Sequence, residues 1–189
     1  MIADIGGYTE FMVATKIEIE HSQHIITQLI QSIIDQIEIP LKLSKLEGDA
    51  LFLYAVKNSE EHTSEHLRKA VGVKLFKFFE VFHRKLVELE QDLTCSCGAC
   101  ADVNVLKLKI VVHSGEALFY RIQQFDELSG RDVILIHRLL KNSVAHDEYI
   151  LMTGPAYTYI DFPSQIEVEE GSESYDHLGE IKTLIYHPE

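Results

Sequence analysis

Two kinds of hydrophobic pattern alternate along the chain: short apolar runs of strand length, and longer stretches with an apolar position every third or fourth residue. The first run, Ile2-Ala3-Asp4-Ile5, ends at Gly6-Gly7 and predicts a strand that delivers a carboxylate to a tight turn. Only three residues precede Asp4, so either the strand is stubby or the sequence begins inside a longer chain. Thr9 is expected to cap a short helix with Phe11, Met12 and Val13 on its buried side. From His21 onward, Ile25, Ile26, Leu29, Ile30, Ile33, Ile34 and Ile37 recur at helical spacing, and Pro40 stops the pattern. Leu41, Leu43 and Leu46 then alternate with Lys42, Ser44 and Lys45 as a strand with one polar face. Glu47-Gly48-Asp49 predicts a tight turn, and Ala50 to Val56 the more buried returning strand.

The polar stretch Asn58 to Thr63 opens a second long helix, whose apolar stripe runs from Leu67 to Leu89 and reads as core or dimer interface. Cys95, Cys97 and Cys100 fall in a compact loop at 94–102. Val105 to Val112 reads as a strand that Ser114-Gly115-Glu116 turns into Ala117 to Ile122. Gln123 to Ser129 reads as a polar link, followed by a helix from Gly130 through Ile136 to Asn142. Tyr149 to Met152 is a short strand, Gly154 to Tyr159 a helical turn, Glu167 to Glu173 an acidic loop, and Leu178 to Tyr186 a closing strand. No repeat or linker divides residues 1–189, so one domain is expected. The order β-α-β-β-α-β with later α and β pieces predicts an α+β fold, a ferredoxin-like core with a C-terminal α/β extension.

Composition narrows the function. Lys and Arg number 17 against 30 Asp and Glu, a formal charge of −13, which argues against a nucleic-acid partner. No apolar run reaches the length of a membrane span and no signal peptide is visible, so a cytoplasmic protein away from membranes is expected. Three clustered cysteines do not form a secreted disulfide framework.

In a β-α-β-β-α-β sheet the first and third strands are central neighbours, which brings Asp4 toward Asp49 at the turn before the third. Two facing carboxylates repel unless a cation or a proton lies between them. A Mg²⁺ or Mn²⁺ site for a nucleoside triphosphate is the use such a pair suggests.

These stretches resemble class III adenylyl and guanylyl cyclases. Asp4-Ile5-Gly6-Gly7-Tyr8-Thr9 is similar to their opening Asp-Ile-x-Gly-Phe-Thr, and Lys45-Leu46-Glu47-Gly48-Asp49 to their Lys-x-x-Gly-Asp hairpin. Ile110-Val111-Val112-His113-Ser114-Gly115-Glu116 resembles their Gly-Ile-His-Thr-Gly-Glu turn, and Gly130 with Arg138 their Gly-(x)₇-Arg helix. The Glu47-Gly48-Asp49-Ala50 stretch, the cysteine loop and His137 to Asn142 resemble more specifically the bacterial DUF2652 branch. The resemblance implies metal binding by Asp4, Asp49 and the Ile5 carbonyl, with the triphosphate against Gly7, Tyr8 and Thr9. It implies that Lys45 reads the purine edge and favours ATP, that an acid near Asp126 or Glu127 is its partner, and that Arg138 stabilises transition-state charge. It also implies a homodimer with the active sites at its interface.

The chain departs from the family at three places. Ile134 stands where the family has a ribose-positioning Asn, the hairpin between Glu116 and Ser129 lacks its glycines, and Tyr175-Asp176-His177-Leu178 holds no triphosphate lysine. Two readings therefore stand: a weakly active enzyme converting ATP to cyclic AMP and pyrophosphate, or a cyclase-homology module acting as a nucleotide sensor or interaction domain. Cys95, Cys97 and Cys100 are candidate ligands of a structural Zn²⁺, with free thiols or a redox-labile loop as the alternatives. His113 reads as a satisfied strand-end histidine, and His62 and His66 as part of a solvated first turn.

Overall fold

A computed structural model describes residues 1–14, 19–57, 60–91 and 102–188. The Cys95, Cys97 and Cys100 expectation lies outside the described residues. The described residues form β1 (Ile2–Gly6), α1 (Tyr8–Ala14), α2 (Ile19–Ile34), β2 (Lys42–Glu47), β3 (Ala50–Tyr54) and α3 (Ser64–Glu90). A 3₁₀ turn (Val103–Val105) precedes β4 (Lys107–Val112), β5 (Leu118–Ile122) and β6 (Phe125–Ser129). The chain closes with α4 (Arg131–Leu139), β7 (Tyr149–Thr153), α5 (Gly154–Tyr159), β8 (Glu169–Tyr175) and β9 (Gly179–Tyr186).

Seven strands make one sheet in the order β2-β3-β1-β4-β7-β9-β8. Its first four neighbours, β2-β3-β1-β4, are antiparallel and give the expected ferredoxin-like core. β7 joins β4 in parallel, and β9 and β8 extend the edge antiparallel. Side chains alternate between the two sheet faces: Ala3 and Ile5 enter the larger core beneath α1, α2 and α3, while Ile2 enters a smaller one against α4.

The long helix α3 anchors the larger core. Thr63 caps it by accepting a hydrogen bond from the His66 N–H at 3.1 Å. Leu67, Val71, Leu75, Phe78, Phe82 and Leu86 follow at helical spacing and are buried. Its polar side carries the Lys69–Glu65 and Lys77–Glu80 pairs, each at 2.7 Å, which add little but keep that face solvated. Gly72 lets the chain after α5 press onto the helix, since a Cβ there would lie 2.2 Å from the Asp161 carbonyl oxygen. Asp161 accepts from Arg68 at 2.7 Å in the same contact.

Four expectations are corrected. Gln123 to Ser129 is not a polar link: Phe125 to Ser129 form β6, paired with β5 so that Ile122 faces Phe125. Gln123 turns the hairpin at φ 54°, and polar residues around a turn without glycine disguise it as a loop. Consequently β5 does not return along β4 but forms a separate two-stranded sheet with β6. The acidic stretch likewise contains strand β8, whose polar alternation suits an exposed edge. Thr9 lies inside α1 rather than capping it, and Val13 is 60% exposed, not buried. No helix among the described residues is long and apolar enough to cross a membrane.

Helix propensity alone would make Gly72→Ala stabilising by up to about 1 kcal/mol. The backbone contact predicts the reverse, a loss of about 2 kcal/mol from overpacking, measured by urea unfolding.

Candidate functional site

β1 is hydrogen-bonded on both sides, and its register sets Asp4 opposite Ala50 of β3 and Lys109 of β4. Asp49, the residue before Ala50, is thereby brought beside Asp4, as the sequence led us to expect. Asp4 shares the face of Ile2, on the side of α4. Burial pushes its carboxyl up to about 6, repulsion from Asp49 adds to the rise, and Lys109 opposes it. Burial raises Asp49 as well, opposed by a hydrogen bond from its own backbone and by Lys109. Two desolvated carboxylates against one ammonium leave net negative charge at the centre of the sheet.

The turn after β1 is held by shape. Gly7 has φ 80°, and a Cβ there would lie 2.5 Å from the Val105 carbonyl oxygen. Its own carbonyl accepts the Phe11 N–H at 2.9 Å, which starts α1, with Tyr8 and Thr9 in the first turn.

A second cluster assembles on the same side of the sheet. Lys45 donates to Glu127 Oε2 at 2.5 Å across 82 residues of sequence and lies 3.9 Å from Glu47. The Glu127 hydrogen bond raises the Lys45 pKa. Of the two acids near this position Glu127 is the partner, while Asp126 pairs with Arg121 at 3.2 Å. His137 of α4 lies 3.2 Å from Glu47 and sets its ring against the edge of Phe52, centroids 4.9 Å apart.

Arg138 is exposed on α4, and its guanidinium makes no hydrogen bond or ion pair among the described residues. Ile134, four positions earlier, is 56% exposed. The β5–β6 hairpin, which contacts α4 through β6, presents Leu118 (71% exposed), Phe119, Ile122 and Phe125 to solvent. His113 is only half satisfied: its Nδ1 bonds Thr153 Oγ1 at 2.8 Å, but Nε2 has no hydrogen-bond partner among the described residues. His62 contacts the Val56 carbonyl oxygen at 2.9 Å, which ties the loop before α3 back to the chain just after β3.

Sequence reading missed Lys109 and His137. Lys109 is one of several alternating lysines, and only the β1–β4 register singles it out. His137 gains a role only through the packing of α4 against β3. Among the described residues no three His, Cys, Asp or Glu side chains gather as a metal cluster. The donor set at the sheet centre is two carboxylates. That suits Mg²⁺ or Mn²⁺, which bind through one or two carboxylates and take other oxygens from water and phosphate.

Sheet order and helix placement define the fold of class III nucleotide cyclase domains. The adenylyl cyclase CyaB from P. aeruginosa superposes with a TM-score of 0.70 at 15% identity, over 100% of this chain and 92% of that one. The catalytic core of a rhodopsin-guanylyl cyclase with converted specificity, in complex with ATPαS, gives 0.60 at 14% identity, over 98% and 92% of the two chains. Within this fold the chain belongs to the family described as Protein of unknown function (DUF2652), which matches residues 26–149. It is also 31% identical over 156 residues to the uncharacterized protein Rv2561/Rv2562 of Mycobacterium tuberculosis, spanning 82% of this chain and 70% of that one.

Burial of Asp4 has a measurable consequence. Below pH 3.8 the group is protonated whether folded or unfolded; as pH rises through about 6 the folded carboxyl ionises against its burial, and stability is lost. Asp4→Asn should therefore match the wild type in acid and exceed it above pH 6, by about 3 kcal/mol at most. Urea unfolding at both pH values checks this. An equal effect at both would mean that the charge is not the cause.

Proposed function

We propose that the chain binds a divalent metal–nucleoside triphosphate on the α4 side of its sheet and cyclises ATP slowly to cyclic AMP and pyrophosphate. One observation carries this reading: Lys45 and Glu127, far apart in sequence, meet on the sheet face that also holds the Asp4–Asp49 pair. A donor beside an acceptor matches the adenine edge, where a ring nitrogen accepts and the amino group donates. In the free protein the two side chains occupy each other, so the base has to enter between them.

Asp4 and Asp49, with the Ile5 carbonyl, would hold Mg²⁺ or Mn²⁺ in a two-ion arrangement. Bound there, the metal supplies Lewis acidity toward the ribose 3′-hydroxyl and the phosphates. The turn at Gly7, Tyr8 and Thr9 offers backbone N–H groups to the triphosphate. Arg138, exposed and unpaired among the described residues, would meet charge on the transferred phosphoryl group across a two-fold homodimer. The exposed apolar hairpin that contacts the same helix supports such an interface. A structural Zn²⁺ on Cys95, Cys97 and Cys100 remains a proposal from sequence alone.

Ile134 supports a second reading, a module that binds nucleotide as a sensor without turnover. An exposed isoleucine offers nothing to a ribose hydroxyl, and loss of one positioning donor costs roughly 10²–10³ in rate.

Purified protein incubated with Mn²⁺ and ATP or GTP, assayed for cyclic product beside calorimetry, separates the readings. The first predicts product that Asp49→Ala abolishes, that Arg138→Ala lowers about a hundredfold with binding retained, and that Ile134→Asn raises. Binding without product would support the sensor, and the absence of binding would contradict both.

A further inference from the structure

A cavity of about 370 Å³ opens at the end of the sheet where β1 begins and β3 and β4 finish, away from Asp4 and Asp49. None of Asp4, Asp49, Lys45, Glu127 or Arg138 lines it. Four aromatic rings do: Phe52, Tyr54, Phe119 and Tyr159. Tyr54 and Phe119 meet edge to face with centroids 5.3 Å apart. At liquid packing the space suits a molecule of about a dozen heavy atoms.

Three polar atoms of its lining are buried and without a hydrogen-bond partner among the described residues: His113 Nε2, Ser114 Oγ and the Tyr159 hydroxyl. Buried polar groups are nearly always paired, so three orphans around one cavity point to a missing occupant. The His113 side chain is 10% exposed and held through Nδ1 by Thr153, leaving Nε2 3.5 Å from Asp132, too far for a good hydrogen bond. Thr153 precedes α5 and Tyr159 ends it, so these polar stations stand about 9 Å apart along the helix axis.

The charges nearby set the polarity of the occupant. Lys57 Nζ sits 4.2 Å above the Tyr159 ring and makes no ion pair among the described residues. At the His113 end, Asp132 already accepts the Glu116 N–H at 2.7 Å, and the Glu116 side chain is exposed. The charges are therefore divided: the carboxylates of Asp132 and Glu116 stand at the His113 end, where a ligand hydroxyl can donate, and the Lys57 cation stands at the Tyr159 end.

We infer that this cavity binds a hydroxyaryl carboxylic acid. Its rings lie among the aromatic side chains, its carboxylate meets Lys57 and the Tyr159 hydroxyl, and its phenolic hydroxyl meets His113 and Ser114. The occupant also touches Leu128 and Ile136, which belong to the hairpin and helix that carry Glu127 and Arg138.

Fluorescence titration of the whole chain with 6-hydroxy-2-naphthoate, without nucleotide or metal, tests this independently of the cyclase reading. Saturable one-to-one binding is expected, weakened about tenfold by Lys57→Gln and by Tyr159→Phe. Ser114→Ala should weaken this probe but leave 2-naphthoate, which lacks the hydroxyl, unchanged. Each change removes one charge or one unpaired oxygen, and circular dichroism confirms that the variants remain folded. No saturable binding up to millimolar probe, or binding indifferent to all three substitutions, would overturn the inference.

Discussion

Strand β1 lies inside the sheet between β3 and β4, hydrogen-bonded to both, and that double pairing fixes the position of Asp4. Ala50 and Lys109 are its cross-strand neighbours, and Asp49 enters beside it from the turn before β3. A carboxylate in such a place gives up much of its water, and a second carboxylate next to it deepens the loss. Lys109 offsets part of this. The core beneath α2 and α3, with Phe78 and Phe82 fully buried, supplies the stability that lets the sheet carry the strain.

Two consequences follow for chemistry. Desolvated acids that repel each other are poised for a divalent cation, which relieves both the repulsion and the lost hydration. The Lys45–Glu127 pair is the opposite case, since its members are already satisfied by one another. Nucleotide binding would gain free energy at the first cluster and give some back at the second.

The core was readable from sequence because its signals were strong. Apolar spacing in α2 and α3, and four motifs in order, placed the central strands and brought Asp4 to Asp49. What escaped notice depended on pairing rather than local pattern. β6 and β8 are polar strands, and only a partner strand reveals them. Lys109 is one lysine among several until the β1–β4 register sets it opposite Asp4. The choice of Glu127 over Asp126 likewise turns on which side of a two-residue hairpin each acid occupies, a matter that one shifted residue would reverse.

The protonation of Asp4 itself is the most direct test. Carbon-13 NMR of the labelled side-chain carboxyl, followed through a pH titration, should show a midpoint near 6 in the free protein. Addition of Mg²⁺ with a non-hydrolysable nucleotide should move it sharply downward. A midpoint at the ordinary 3.8, unmoved by metal and nucleotide, would contradict the account of Asp4 and Asp49 as a desolvated pair awaiting a cation.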